Sequence, residues 1–309
     1  MSTYHQPVMV SECIDLLALK PGGIYVDATL GGGGHSWAML QACPNIKLYC
    51  IDQDDDALAM ASTVLNDKIN SIGLIKANFA RLRTELALRQ VKGIDGVLYD
   101  LGVSSHQIDA AERGFSYDRD ASLDMRMDLS IKQTAADLVN NLSVRELTRV
   151  IKDYSEELHA GRIARAIEQA RAAKPITRTT ELSRIIETVV GTGSKESQKS
   201  KARVFQALRI YVNRELEVLP FSLRDAINLL NKGGRIVVMS YHSLEDRIVK
   251  NIFRDAATGC KCPPNLLQCV CNEVPRLKLL NSRPLTASEQ EIKLNSRAKS
   301  AKLRAAVKI

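Results

Sequence analysis

The sequence predicts an α/β fold, a largely parallel sheet with helices on both faces, interrupted by an all-helical insertion. Three observations carry this. A short apolar run, Ile24-Tyr25-Val26, ends at Asp27; Gly31–Gly34 follows, and a helical pattern starts at Trp37-Ala38-Met39-Leu40. Further apolar runs each stop at a polar residue or glycine, as parallel strands do when ligands bind beyond their carboxyl ends. After Asp100 that rhythm gives way to helical periodicity, from Thr134 to about Leu230.

The first strand and the glycine turn set the binding site. Glycine reaches φ > 0 and lets a ligand approach the backbone, and the helix that follows offers free N–H groups. The turn lacks the dinucleotide spacing, because G-x-G-x-x-G read from Gly31 requires a sixth-position glycine where Ser36 stands. A flexible turn is the plain alternative. Lys47–Asp52 reads as the second strand, with Asp52 about 20 residues past the glycines, where a carboxylate reaches ribose hydroxyls. An ordinary strand-end residue is the competing reading. One of Asp54, Asp55 and Asp56 is expected to cap the helix Ala57–Leu65. The third strand, Gly73–Ala77, runs into Asn78-Phe79, and the fourth, Gly96–Tyr99, into Asp100-Leu101-Gly102. Asp27, Asp52, Phe79 and Asp100 should converge on one crevice. Phe79 either stacks on a base or joins the core.

A charged loop is expected to Asp128. Ser143-Val144-Arg145-Glu146 is a capping box. His159–Ala173 is a basic amphipathic helix stopped by Pro175, and Thr180–Val190 a further helix ending near Gly191 and Gly193. Gly191–Lys201 reads as a polar, mobile loop, and Arg203–Glu217 as one long helix. The insertion spans 106–214, between a first part at 1–105 and a last part at 215–309. A helix end with a glycine stop is expected at Asn228–Gly234, then a buried strand at Arg235–Ser240. Tyr241-His242-Ser243 lies at its carboxyl end, and a helix follows from Glu245 to Arg254. Arg276–Leu280 and Ala301–Val307 suggest a last antiparallel pair.

A chain of 309 residues can bury a large core and hold two domains. The lack of an 18-residue apolar run, of a secretory-type N-terminus and of an even cysteine count among its seven points to a cytoplasmic protein without membrane contact. Its net charge of +8 favours a polyanionic partner. Lys and Arg exceed Asp and Glu by seven in Arg145–Arg214, and by seven again in 276–309. Such charge holds phosphates without reading bases.

Several blocks together resemble a known family. They are His5-Gln6-Pro7-Val8, Asp27–Ser36, Asp100–Gln107, Glu112–Ser116, Leu123–Asp128, Arg162–Ile167, Phe205–Ile210, Val212-Asn213 and His242–Arg247, in order along nearly the whole chain. The chain resembles the class I (Rossmann-like) S-adenosylmethionine-dependent methyltransferases, and within them the RsmH/MraW family of bacterial 16S rRNA (cytosine-N4)-methyltransferases. The resemblance implies methyl transfer to the N4 amine of a decoding-region cytidine (position 1402), on 16S rRNA in the small ribosomal subunit. It implies S-adenosylmethionine on Gly33, Gly34, His35, Asp52, Phe79, Asp100 and Gln107, and a fifth strand beside the fourth. Domain 1–105 with 215–309 would hold the cofactor, and insertion 106–214 the substrate.

The amine of cytosine is a poor nucleophile, so catalysis is largely positioning, helped by acceptors for the departing proton. Many amino-methyltransferases carry an (Asp/Asn/Ser)-Pro-Pro-(Tyr/Phe) motif after the fourth strand; here it reads Asp100-Leu101-Gly102-Val103. His242 is a candidate proton acceptor or a strand-end brace. Tyr241 either stacks on the target base or packs, and Asn213 contacts a base or closes an internal network. Asp100 borders the same place. Cys260, Cys262, Cys269 and Cys271 offer a possible S4 metal site, though C-x-C is tighter than the usual C-x2-C, and reduced surface thiols are the alternative. Rival classes are a methyltransferase acting on another RNA or DNA base, a dinucleotide oxidoreductase and a non-catalytic RNA-binding module.

Overall fold

The computed structural model describes residues 7–66, 71–104, 107, 108, 110–259, 262, 271 and 273–309. Among them the helices are, in chain order, α1 (Val10–Leu17), α2 (Gly34–Ala42), α3 (Asp55–Val64), α4 (Leu82–Leu88), α5 (Ala135–Asn141), α6 (Val144–Ser155), α7 (Ala160–Ala173), α8 (Thr179–Val190), α9 (Lys195–Asn213), α10 (Glu215–Leu229), α11 (Ser243–Thr258) and α12 (Glu289–Leu294). The strands are β1 (Ile24–Asp27), β2 (Lys47–Asp52), β3 (Ile72–Lys76), β4 (Ile94–Asp100), β5 (Leu230–Ser240), β6 (Leu277–Leu279) and β7 (Lys302–Lys308). The chain divides into two compact units, Met1–Gly102 with Leu216–Ile309, and Val103–Glu215.

The first unit is built on a seven-stranded sheet of order β3-β2-β1-β4-β5-β7-β6. β1 to β5 are parallel, and β7 runs antiparallel to both β5 and β6. The order reverses at β1, whose neighbours are β2 and β4; in such sheets the carboxyl ends at the reversal form the ligand crevice. Both faces are covered, so apolar residues occupy both phases of the strands. Val26, Ile51, Val97, Tyr99 and Val238 meet Leu82 and Leu86 of α4, Leu223 of α10 and Phe253 of α11. Tyr25, Leu48, Leu98 and Val237 meet Leu17 of α1, Met39 and Leu40 of α2 and Ala61 of α3. Fully burying each such side chain stabilises by about 1.5–3 kcal/mol.

Several local expectations hold. Asp54 caps α3, its carboxylate accepting from the Asp56 N–H at 3.1 Å. β5 pairs with β4, from Gly96↔Arg235 to Asp100↔Met239. The last two strands pair antiparallel, Lys278↔Val307 at the centre. Others shift. α10 ends at Leu229, and β5 begins at once at Leu230, running through the two glycines where a helix stop was expected. α11 starts at Ser243 and continues to Thr258, two residues earlier and four later than read.

The second unit has its own core, in which Leu147 and Ile151 of α6, Ile163 and Ile167 of α7, Leu182 and Ile186 of α8, and Phe205 and Leu208 of α9 pack together. The predicted capping box opens α6: Ser143 Oγ accepts from Glu146 N–H, and Glu146 accepts from the Ser143 N–H at 2.9 Å. In α7 the buried Ala160, Ile163, Ala164 and Ile167 follow the helical stripe. That leaves Arg162 and Arg165 exposed. Of the polar stretch read as a mobile loop, only 191–194 lie outside a helix; from Lys195 it is the start of α9, capped by Ser194, whose hydroxyl accepts from Ser197 N–H at 3.0 Å. Here polar groups are buried and paired: Lys201 Nζ lies 2.8 Å from Glu187, and Ser200 Oγ donates to Glu157 at 2.9 Å. The expected single helix 203–217 breaks at Arg214, which turns left-handed at φ 53°.

Candidate active site at the carboxyl ends of the parallel strands

Asp27, expected to face the crevice, is fully buried beneath the glycine turn. Its carboxylate accepts the Ser36 hydroxyl at 2.7 Å and the Thr29 N–H at 3.2 Å. It therefore ties the start of α2 to β1, and the short hydroxyl bond offsets part of the penalty of burying a carboxylate. Burial raises its pKa and the Ser36 hydroxyl opposes this.

The glycines serve packing. Gly33, at φ +80°, caps α2, and a Cβ there would come within 3.2 Å of the Ala61 Cβ on α3. A Cβ on Gly34 would lie 2.9 Å from Pro7. Close packing, against a helix at Gly33 and against the segment before α1 at Gly34, accounts for these two positions without any ligand. Gly31 is different: its N–H donates to Asp52 Oδ2 at 2.8 Å, so the turn is pinned to the end of β2. The other oxygen of Asp52 accepts from Asp54 N–H at 2.9 Å. Asp52 is half-buried, and desolvation pushes its pKa up to about 6 against the pull of those two N–H donors.

Phe79 begins a 3-10 turn after β3 and meets Tyr99 edge-on at 5.9 Å between centroids. It is half-buried against the core, so one part of the ring is core and the rest stays accessible. Asn78 donates to Gln53 at 2.7 Å, linking the ends of β3 and β2.

Asp100 closes β4. Its backbone N–H donates to Thr29 Oγ1 at 2.6 Å, and its Oδ1 accepts the Tyr241 hydroxyl at 2.7 Å. Burial raises the Asp100 carboxyl, opposed first by His35 and then by Tyr241; the Tyr241 phenol is itself raised by burial and by Asp100. His35, only 6% exposed, puts Nε2 at 2.9 Å from the Val8 carbonyl and Nδ1 at 3.6 Å from Asp100 Oδ2. Sequence reasoning passed over this His35–Asp100–Tyr241 chain, since its members are spread over residues 35–241 and only β-sheet order brings them together.

His242 is the N-cap of α11. Its Nδ1 accepts from Glu245 N–H at 3.4 Å, and its Nε2 faces Glu245 Oε1 at 3.1 Å. Glu245 also accepts from the Tyr241 N–H at 2.9 Å. The first helix turn thus engages Nδ1, while Nε2 is buried near Glu245 without a hydrogen-bond partner among the described residues. Asn213 is buried in the second unit, accepting from Met127 N–H at 2.8 Å and donating to the carbonyls of Met125 and Arg209. It closes an internal network. Gln107, also in that unit, accepts from Ser104 N–H at 2.9 Å while its own N–H donates to Ser104 Oγ. Cys260 and Cys269 lie outside the described residues, as do His5, Gln6, Ser105 and His106; Cys262 and Cys271 are half-buried. No metal-binding group of three or more His, Cys, Asp or Glu occurs among the described residues. No helix among them is long and apolar enough to cross a membrane.

A sheet reversing at β1, a glycine turn pinned to an acidic second strand, and a carboxylate at the end of the fourth together define a class I methyltransferase fold. The comparisons with known proteins narrow this. The MraW methylase family matches residues 2–309, and the chain belongs to that family. It is similar to proteins named ribosomal RNA small subunit methyltransferase H from three bacteria. The Finegoldia magna protein is 47% identical over 311 residues, covering 100% of each chain. That from Geotalea daltonii is 50% identical over 307 residues, 99% of this chain and 98% of the relative. The Geobacter sulfurreducens protein is 50% identical over 311 residues, 100% of both.

Proposed function

We propose that this methyltransferase transfers the methyl group of S-adenosylmethionine to the N4 amine of a decoding-region cytidine, position 1402, of 16S rRNA in the small ribosomal subunit. The observation that carries the proposal is the set of groups at the strand ends. A half-buried carboxylate, Asp52, ends β2 and holds the turn after β1; a half-buried aromatic, Phe79, follows β3; a second carboxylate, Asp100, ends β4. This donor set fits a nucleoside with a cationic tail: hydroxyls for Asp52, a flat base for Phe79, positive charge for Asp100. The full-length relatives, named for the small-subunit RNA, supply the substrate class.

When bound, the sulfonium supplies an electrophilic methyl group. The chain's own residues orient and take up protons. Asp52 receives ribose hydroxyls, and its tie to Gly31 fixes the turn that faces the ligand. Asp100 and Tyr241 form the edge of β4 and β5 where the target base enters, since an enzyme acting on a structured RNA must draw the base from its stack. Between the candidates for accepting the N4 proton, Asp100 has acceptor capacity left after its bond from Tyr241. His242 spends Nδ1 on the helix cap, so we assign it the brace. The exposed arginines of α7 hold phosphates.

The test is titration calorimetry with S-adenosylmethionine and with NAD, followed by methylation of small-subunit particles and mass mapping of the rRNA fragments. Binding of S-adenosylmethionine alone and one added methyl at that cytidine are expected. NAD binding, or a methyl group on another base, overturns the proposal. RNA binding without any turnover favours the non-catalytic reading.

A further inference from the structure

His35 sits in the first turn of α2 with Nε2 in a hydrogen bond and Nδ1 facing a carboxylate. Nε2 lies 2.9 Å from the Val8 carbonyl oxygen. A carbonyl oxygen only accepts, so Nε2 must carry a hydrogen. Nδ1 lies 3.6 Å from Asp100 Oδ2. An ionised carboxylate also only accepts. A neutral imidazole protonated at Nε2 would therefore aim a lone pair at the carboxylate, and the two would repel. The approach is favourable only with a second proton between them.

Burial raises the Asp100 carboxyl, and the imidazole and the Tyr241 hydroxyl beside it oppose that. The Tyr241 hydroxyl donates to Asp100 Oδ1 at 2.7 Å, which stabilises the ionised carboxyl. Imidazole is ordinarily more basic than a carboxylate by about 2.6 pH units. Of the charged groups acting on Asp100, Asp27 of β1 and Glu245 of α11 share its sign, and His35 opposes it. Cys13 of α1, buried nearby, is a neutral thiol, raised by burial and by Asp100.

We propose that His35 is a positioning residue: held as an imidazolium by the Val8 carbonyl, it keeps Asp100 ionised and fixed at the end of β4. This rests on the reading of Asp100 as the carboxylate that serves the site. His35 then acts through its side chain, beyond any contact its backbone makes with the cofactor.

Nitrogen-15 NMR of the full chain labelled at histidine tests the pair without any ligand. The chain has five histidines, so His35→Gln identifies the resonance. The expected result is a doubly protonated His35 at pH 7, with a titration midpoint at least one pH unit lower in Asp100→Asn. A neutral wild-type ring at pH 7, or equal midpoints in the two proteins, overturns the proposal. A second arm measures single-turnover methylation of small-subunit particles from pH 6.5 to 8.5. Without the imidazolium, Asp100 must hold its proton to higher pH. The ratio of rates at pH 8.5 and 6.5 should therefore rise in His35→Gln, by up to about sixfold for a one-unit displacement within that window. A uniform loss at every pH, which a purely structural role would give, overturns it. Absence of methylation by the wild type counts against the proposed function, and the NMR arm still decides the pair.

Discussion

Lowering the pH from 7 to 5 should loosen S-adenosylmethionine about tenfold, and Asp52 is the reason. Its carboxyl is pushed up to about 6 by desolvation. A carboxyl raised in the folded state adds stability below its unfolded value near 4, and that contribution is lost as pH rises through 6. Hydroxyl donors reverse the preference, because they bond to the ionised form. If bound ribose returns the group to about 4, the linkage predicts an affinity about tenfold weaker at pH 5 than at pH 7, with one proton released on binding near pH 5. Calorimetry in buffers of different ionisation enthalpy counts that proton. Asp52→Asn should abolish the pH dependence and weaken binding roughly ten- to a hundredfold, the loss of one or two charge-assisted bonds. The asparagine retains one acceptor for the Gly31 or Asp54 N–H, so a melting curve beside the titration separates lost binding from a loosened turn. A pH-independent affinity, proton uptake, or the same dependence in Asp52→Asn would refute the assignment of Asp52 to the ribose.

Reversing the exposed Arg162 and Arg165 to glutamate should weaken binding of small-subunit rRNA and reduce the salt slope by about one for each phosphate no longer neutralised, with cofactor affinity unchanged; filter binding across a salt series reads this, and an unaltered slope rejects α7 as a phosphate-binding helix. His242→Ala should lower stability by about 1 kcal/mol through the lost cap of α11 while single-turnover methylation stays near the wild-type rate; a hundredfold slower reaction with an unchanged melting curve would instead make His242 the base. Asn213→Ala removes three buried hydrogen bonds and leaves backbone groups unpaired, at about 2–4 kcal/mol; protease sensitivity within 103–215 should rise, and resistance equal to the wild type would show the network to be dispensable.

Much of the fold was legible because its signals are local. Asp54 before an apolar helix, Ser143 three residues before Glu146, and the stripe from Ala160 to Ile167 each specify structure within one or two turns of chain. Apolar runs ending in acidic residues gave the strands, and β5 followed from its glycine-flanked apolar stretch. What escaped was non-local or polar. The start of α9 looks like a loop because Ser197, Ser200 and Lys201 are polar; Ser200 and Lys201 are buried only because Glu157 and Glu187 arrive from other segments to pair with them. The break at Arg214 leaves no mark in hydrophobic periodicity.

At the candidate site the same division holds. Sequence by itself determined that an acidic residue would end each of β1, β2 and β4, that a glycine turn would follow β1, and that the chain carries the motifs of its family. Tertiary structure decided what those residues touch. It buried Asp27 under the turn, turned Gly33 and Gly34 into packing positions against Ala61 and Pro7, and engaged His242 in a helix cap. It also brought His35 and Tyr241 to the two oxygens of Asp100. The reason is physical: a strand's polarity and period are written in adjacent residues, whereas the protonation and reach of a side chain depend on groups delivered by sheet order from far along the chain.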